Sequence, residues 1–390
     1  MLTYNIFIFF VTFFLYFDYK INADNDLYVE RKRVSFFMFL TLSLIVFFAG
    51  FRLEIGYDYP KYLAGYMFDS ELKHWEPLFN FVTKTIREVN FGLESQALFL
   101  FFSFITILVL YLAIRKLTPH FRTSLLLYLL VPALFLNSFS VVRQALAMVI
   151  LLYGLYYLTV EVDRRKYIFF GLLAFLFHYS AIFVILAYLV LGNLFNKTYS
   201  WIVYVFGIML SFALYFSHIG KGILLMLPGH FSTYAHSEIS VSILKLVVVN
   251  AFFIFFVLQK DTFIETRLQR YLLNSMFLAT LLFNIFADFT YVTRISQYFL
   301  VSEIILVPMY IYSFKEKFKQ QLFLILFLTY YLFNFNYALY RDEYYTGSRP
   351  HFLVPYKNYL FEEKKSFRNT NLEAWYNYII ENSSSEEEKK

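Results

Sequence analysis

Four short stretches of this chain set ionisable side chains beside long apolar runs, where a charge is costly unless it has a partner or a task. The first holds Arg52, Glu54, Gly56, Tyr57, Asp58, Tyr59 and Tyr62. A guanidinium there offers a planar fork suited to phosphate oxygens. Gly56 permits a tight turn, and Asp58 can take a proton from a hydroxyl. The same residues also fit an interfacial loop with tyrosine anchors and a structural Arg–Asp pair. The second stretch is His74, Trp75, Glu76 and Pro77. Pro77 suits the first position of a helix and Glu76 its positive end. Glu76 is then a capping group or a general base, and Trp75 a platform for a sugar face. The third is Ser140, Val141, Val142, Arg143 and Gln144, followed by the small residues Ala145 and Ala147 that allow close helix contact. Arg143 either snorkels to the interface or is buried against an anion, whether a protein carboxylate or a ligand phosphate. The fourth is His178, Tyr179 and Ser180 inside an apolar block. Such a histidine is bonded to a neighbouring helix, or it serves as a proton acceptor or phosphate ligand. Asp288 and Arg294 form a weaker fifth set, readable as an ion pair across a short turn.

The elements that hold these residues follow from composition. Of 390 residues, 59% are hydrophobic and 16% charged, too few charges for the polar shell of a soluble fold. The apolar residues fall in eleven blocks, roughly 2–17, 34–50, 95–114, 123–140, 142–160, 167–191, 200–217, 242–258, 271–288, 292–312 and 320–338. Blocks of about 17–25 residues match a hydrocarbon layer of about 30 Å. They lack the alternation of a barrel strand, so each is expected to be helical. The fold class expected is all-α, a polytopic transmembrane bundle of about 10–12 spans over 1–340. It carries an outward loop at 51–94, whose stretch 78–93 is amphipathic enough to lie in the interface. A polar tail over 341–390 follows, with 349–356 able to fold back on the bundle and 383–390 disordered. Block 2–17 lacks a basic leader and a cleavage site, and reads as a retained helix.

Charges sit in short clusters between blocks, the pattern of membrane orientation and not of a nucleic-acid surface. With no cysteine, disulfides and thiolate chemistry are excluded. No glycine-rich phosphate loop or zinc-type histidine spacing is present, so neither metal nor cofactor is expected. Basic residues put the loops at 31–33, 115–122, 164–166, 260–270 and 315–319 on the cytoplasmic side. One conflict remains between 164–166 and 260–270. Two loops on one side need an even number of crossings, and three blocks lie between them. Either 167–191 is two short pieces broken near His178, or one block does not cross. The outward placement of 218–241 and of the tail depends on this.

Arg52, Gly56 to Tyr59 and Tyr62, then Trp75 to Phe79, then Ser140 to Ala147, then Phe177 to Ala181, in this order and spacing, resemble the EpsG family. Arg294 with Tyr298 fits its later half. Members are multi-spanning proteins of capsule and exopolysaccharide clusters, related in role to the Wzy O-antigen polymerases, with a bundle similar to the GT-C glycosyltransferases. The resemblance implies a metal-independent glycosyltransferase of the bacterial inner membrane. It would join polyprenyl (undecaprenyl) diphosphate-linked oligosaccharide units at the outer face, one as donor and one as acceptor. Asp58, Glu76 and His178 are then the catalytic candidates. Arg52, Arg143, Gln144 and Arg294 are those for the diphosphate, and Tyr57, Tyr59, Tyr62 and Trp75 those for sugars. A chain-length regulator is a further partner left open. Two other readings use the same groups: a flippase for lipid-linked glycan, and a glycan acyltransferase.

Overall fold

The computed structural model describes residues 1–23, 34–68, 72, 75–89, 92–226, 242–344 and 352–361, apart from the side chains of 290–293. His74 and the segment 383–390 lie outside these. Among the described residues the chain is helical, with no strand and one isolated bridge between Arg52 and Asn358. In chain order the helices are α1 (Leu2–Ala23), α2 (Phe36–Gly50), α3 (Tyr59–Met67), α4 (Pro77–Val89), α5 (Gln96–Leu117), α6 (Phe121–Leu130), α7 (Phe135–Ser138), α8 (Val142–Thr159) and α9 (Arg164–Phe177). They continue as α10 (Ala181–Val190), α11 (Gly192–Phe195), α12 (Trp201–Phe216), α13 (Ile219–Met226), α14 (Ile243–Gln259), α15 (Arg267–Ile285), α16 (Thr290–Leu300), α17 (Glu303–Ile311) and α18 (Lys317–Glu343).

Side-chain caps mark several starts. Ser35 accepts from the Met38 N–H at 3.1 Å, Asp163 from those of Arg165 and Lys166, and Thr266 with Gln269 forms a reciprocal capping box. Large apolar side chains stand exposed in mid-helix, among them Phe9, Phe39, Phe206, Met209 and Phe333. Bare rings in the middle of helices suit hydrocarbon and not water. Among the described residues, five helices are long and apolar enough to cross a membrane singly: Leu2–Ile21, Gln96–Leu117, Val142–Thr159, Ile243–Thr262 and Lys317–Glu343. The bent pair α12 and α13, turned by 69°, makes a sixth if taken as one span. The remaining apolar blocks are shorter or broken. Pro132 separates α6 from α7, and Val301–Ser302 separates α16 from α17.

Block 167–191 is two helices. α9 and α10 run antiparallel, because Tyr167 Oη donates to the Val184 carbonyl at 3.4 Å and Gly171 faces the side chain of Ile185. The hairpin turns at His178–Ser180. Fourteen residues of α9 rise about 21 Å, so its tip stops short of a layer of about 30 Å. The polar tip sits against other protein groups, which is where broken helix is tolerated at membrane depth.

Contacts sort the loops into two ends. At one, Asp18 meets Arg122 at 2.5 Å, His120 stacks on Tyr312, and Asn196 accepts from Arg270 while Asn274 donates to Phe195 and Lys197 carbonyls. The basic loops at 115–122 and 260–270 lie at this end. At the other end residues 352–361 fold onto α1 and α2. Tyr4 Oη donates to the Leu353 carbonyl, Tyr356 stacks on Phe48 at 4.2 Å, and Leu53 N–H donates to the Lys357 carbonyl. Loop 51–58 and the hairpin tip share this second end.

Candidate functional site

The loop after α2 is clamped to the turn before α8. Gly56 has φ +109°, and a Cβ on it would stand 2.1 Å from the Phe139 carbonyl oxygen. Only glycine fits such a conformation at such an approach. The Tyr57 N–H donates to Ser140 Oγ at 2.9 Å, completing the clamp. Arg52 lies beneath it, 1% exposed, its guanidinium between the rings of Phe99 and Phe139, each 4.9 Å away. Its donors go to the carbonyls of Ala49, Ile55 and Phe139 and to Ser103 Oγ.

Arg52 is thus buried and joins α2, α5 and the α7–α8 turn. Tyr59 stacks on Phe99 at 4.4 Å and donates to Gln96, while Tyr62 packs between Trp75, Phe79 and Phe99. Both tyrosines are buried. Tyr57 and Trp75 remain partly exposed.

Glu76 precedes α4 and accepts the Asn80 N–H through its backbone carbonyl, the capping position expected of it. Its side chain turns inward and is 3% exposed. One carboxylate oxygen pairs with Arg143 Nη1. The other lies 2.7 Å from His178 Nδ1 and accepts the Tyr179 N–H at 3.3 Å. Arg143 therefore has a protein carboxylate as counter-ion, from 67 positions earlier. Its guanidinium also lies over the Trp75 ring at 4.7 Å, and its Nε is buried without a hydrogen-bond partner. Burial pushes the Glu76 carboxyl up, but the His178 hydrogen bond and the Arg143 charge outweigh it and hold it at about 2. An ionised carboxylate only accepts, so His178 Nδ1 donates to it, which fixes the ring's orientation.

A second ion pair stands beside the first. Arg294 Nη1 lies 3.7 Å from Asp58 Oδ2. Arg294 does not pair with Asp288, whose carboxylate accepts from Tyr215 Oη at 3.2 Å. Gln144 joins the two arginine positions: next in chain to Arg143, it donates to the Arg294 carbonyl at 2.7 Å. Its amide is thereby engaged with the backbone of α16. Asn137 and Gln297 extend this network at 2.9 Å, and Ser180 Oγ meets Tyr298 Oη at 3.0 Å. Neither Asn137 nor Gln297 stood among the sequence candidates. Gln297 and Tyr298 follow Arg294 by three and four positions, so all three share one helix face, and that spacing was the available signal.

The loop, the Glu76 turn, the start of α8, the hairpin tip and α16 thus converge on one end of the bundle. Residues 34–358 match the model of the EpsG family. The chain belongs to the EpsG family. No curated protein and no solved structure matches it. Membership of the EpsG family carries, at family level, an exopolysaccharide polymerase-type role and the glycosyltransferase class. The matched span contains every residue of the convergent cluster. In this EpsG-family chain the cluster combines two arginines, two carboxylates and an imidazole held in one orientation.

Proposed function

We propose that this protein joins polyprenyl-diphosphate-linked oligosaccharide units into a longer chain at the outer face of a bacterial inner membrane. The observation that carries the reading is the contact of Glu76 with both His178 and Arg143. His178 is the general base. Its Nδ1–H is fixed by Glu76, so the other ring nitrogen is free to take the proton of an acceptor sugar hydroxyl. The hydroxyl oxygen then bonds to the donor's anomeric carbon as the bond from that carbon to the diphosphate breaks. The lipid diphosphate leaves with the electron pair, and charge develops where Arg143 and Arg294 supply guanidinium groups. The proton on His178 passes to solvent or to the departing diphosphate, which restores the imidazole.

Sidedness supports the same reading. With the hairpin entering and returning on one side, the blocks of α12 and α14 leave two crossings between 164–166 and 260–270, the even number the basic loops require. The described parts of loop 51–94, the bend at 217–218 and the tail at 352–361 then face outward, with the cluster. A flippase would need the cations but no oriented imidazole. The test is deletion in the native host, complemented with wild type or His178→Ala, with glycolipids resolved by mass. The variant is expected to accumulate single lipid-linked units exposed to outside reagents. Units held inside would favour the flippase, and wild-type polymer would end the assignment of His178.

A further inference from the structure

A second site lies away from the Glu76 cluster, where α12 breaks into α13. The chain turns 69° there, and His218 takes φ +55° at the bend. That conformation is uncommon for a residue with a side chain and costs free energy unless the surroundings impose it. The turn folds α13 back against the end of α15. Gly220 sits so close to Ile285 that a Cβ would lie 2.8 Å from its carbonyl oxygen. Between them is a cavity of about 350 Å³ lined by Tyr215, His218, Lys221, Asp288 and Phe289, among others. The volume falls in the range of about 300–1,000 Å³ typical of small-molecule sites. Phe289 packs with Leu224, Phe286 and Ile295 in an apolar cluster apart from the main core, so the wall is held in place.

We infer that this cavity binds sugar residues of the glycan, as a recognition site distinct from the diphosphate site. The lining decides the class. Asp288 disfavours a phosphate, while a carboxylate, an ammonium, an imidazole and a phenol together supply the donors and acceptors that sugar hydroxyls need. Position agrees. Phe289 immediately precedes α16, and Arg294 is five residues further, about 8 Å at a helical rise of about 1.5 Å. The cavity wall and the Arg294–Asp58 pair are therefore borne by adjoining parts of one segment. The assignment of the ligand as a glycan rests on the polymerase reading above.

Binding separates the two claims. The full chain in lipid discs is titrated by calorimetry with free repeat-unit oligosaccharide cut from the host's polymer, and separately with inorganic pyrophosphate. Asp288→Asn and Tyr215→Phe are expected to weaken oligosaccharide binding by about tenfold or more, the effect of removing a hydrogen-bonding group from the lining, and to leave pyrophosphate binding unchanged. Wild-type oligosaccharide affinity in both cavity variants, with unchanged melting temperatures, overturns the inference. So does a Lys221→Ala protein that loses pyrophosphate and keeps the oligosaccharide. If Asp288→Asn fails to fold, Tyr215→Phe alone decides. A His178→Ala protein that still polymerises would remove the catalytic assignment and leave the cavity standing.

Discussion

Glu76 and His178, 102 positions apart, meet through Oε1 and Nδ1 at 2.7 Å. The contact joins the loop before α4 to the tip of the α9–α10 hairpin. Its geometry, a buried carboxylate orienting an imidazole, recurs where a histidine acts as general base. Replacing Glu76 by Gln keeps the volume and removes the charge. The account expects polymer synthesis to fall by about 10²-fold or more, in line with the worth of a positioned base. Polymer length and yield in complemented cells check this, and near-wild-type yield would contradict it.

The same carboxyl sets a pH dependence of stability. Its value lies below that of an unfolded glutamate, so its contribution is fully present above about 4.5 and is lost as pH falls towards about 2. The size is on the order of 3 kcal/mol. Melting temperature followed from pH 6 to pH 3 should drop more steeply in wild type than in Glu76→Gln. Parallel curves would show that Glu76 gives no such linkage.

Arg52 and Arg143 should separate experimentally. Arg52→Ala strips partners from three buried carbonyls, each worth about 1–3 kcal/mol when left unsatisfied. Arg52→Lys fails nearly as badly, because an ammonium cannot reproduce the fork between two rings. Both are expected to lower the melting temperature markedly and to reduce the amount of protein in the membrane. Arg143→Ala leaves Glu76 its bonds to His178 and Tyr179, so the protein is expected to persist folded while long polymer is lost. The reverse pattern would exchange their roles.

How much of this could be read beforehand differs residue by residue. The apolar blocks showed the helical bundle, because hydrocarbon leaves the backbone few other choices. Glu76, Arg143 and His178 could be named because charge at membrane depth is costly. Their pairing could not, since 67 positions part the ions of one pair and 236 part Asp58 from Arg294. Arg52 looked like Arg143 for the same reason of type. What separates them is Phe99 and Phe139, brought over Arg52 from distant helices. The hairpin was half legible: charge parity asked for either a break near His178 or a block that does not cross, and only the contact of Tyr167 with Val184 showed that the chain doubles back.

Gly56→Ala tests whether the loop clamp positions the site. With φ +109° and 2.1 Å to the Phe139 carbonyl, an added methyl must displace the loop that bears Asp58. Loss of both stability and polymerisation is expected, checked by melting and polymer yield. A fully active, equally stable variant would show that the approach is loose.

Asp58→Asn probes the second ion pair. Both partners are partly exposed and 3.7 Å apart, so the pair is worth about 0–1 kcal/mol to stability. The melting temperature is expected to move little while the rate falls, because Arg294 is no longer held in place. A large drop in stability with an unchanged rate per folded molecule would make the pair structural.

The central claim is that a Glu76-oriented His178 carries out transfer between two lipid-linked units. Its most direct measurement is a reconstituted reaction in liposomes, with purified lipid-linked repeat units as sole substrate and release of lipid diphosphate followed alongside chain length. Wild type is expected to release one lipid diphosphate for each unit added, and folded His178→Ala to release essentially none. Equal release and equal chains from the two proteins would contradict the account.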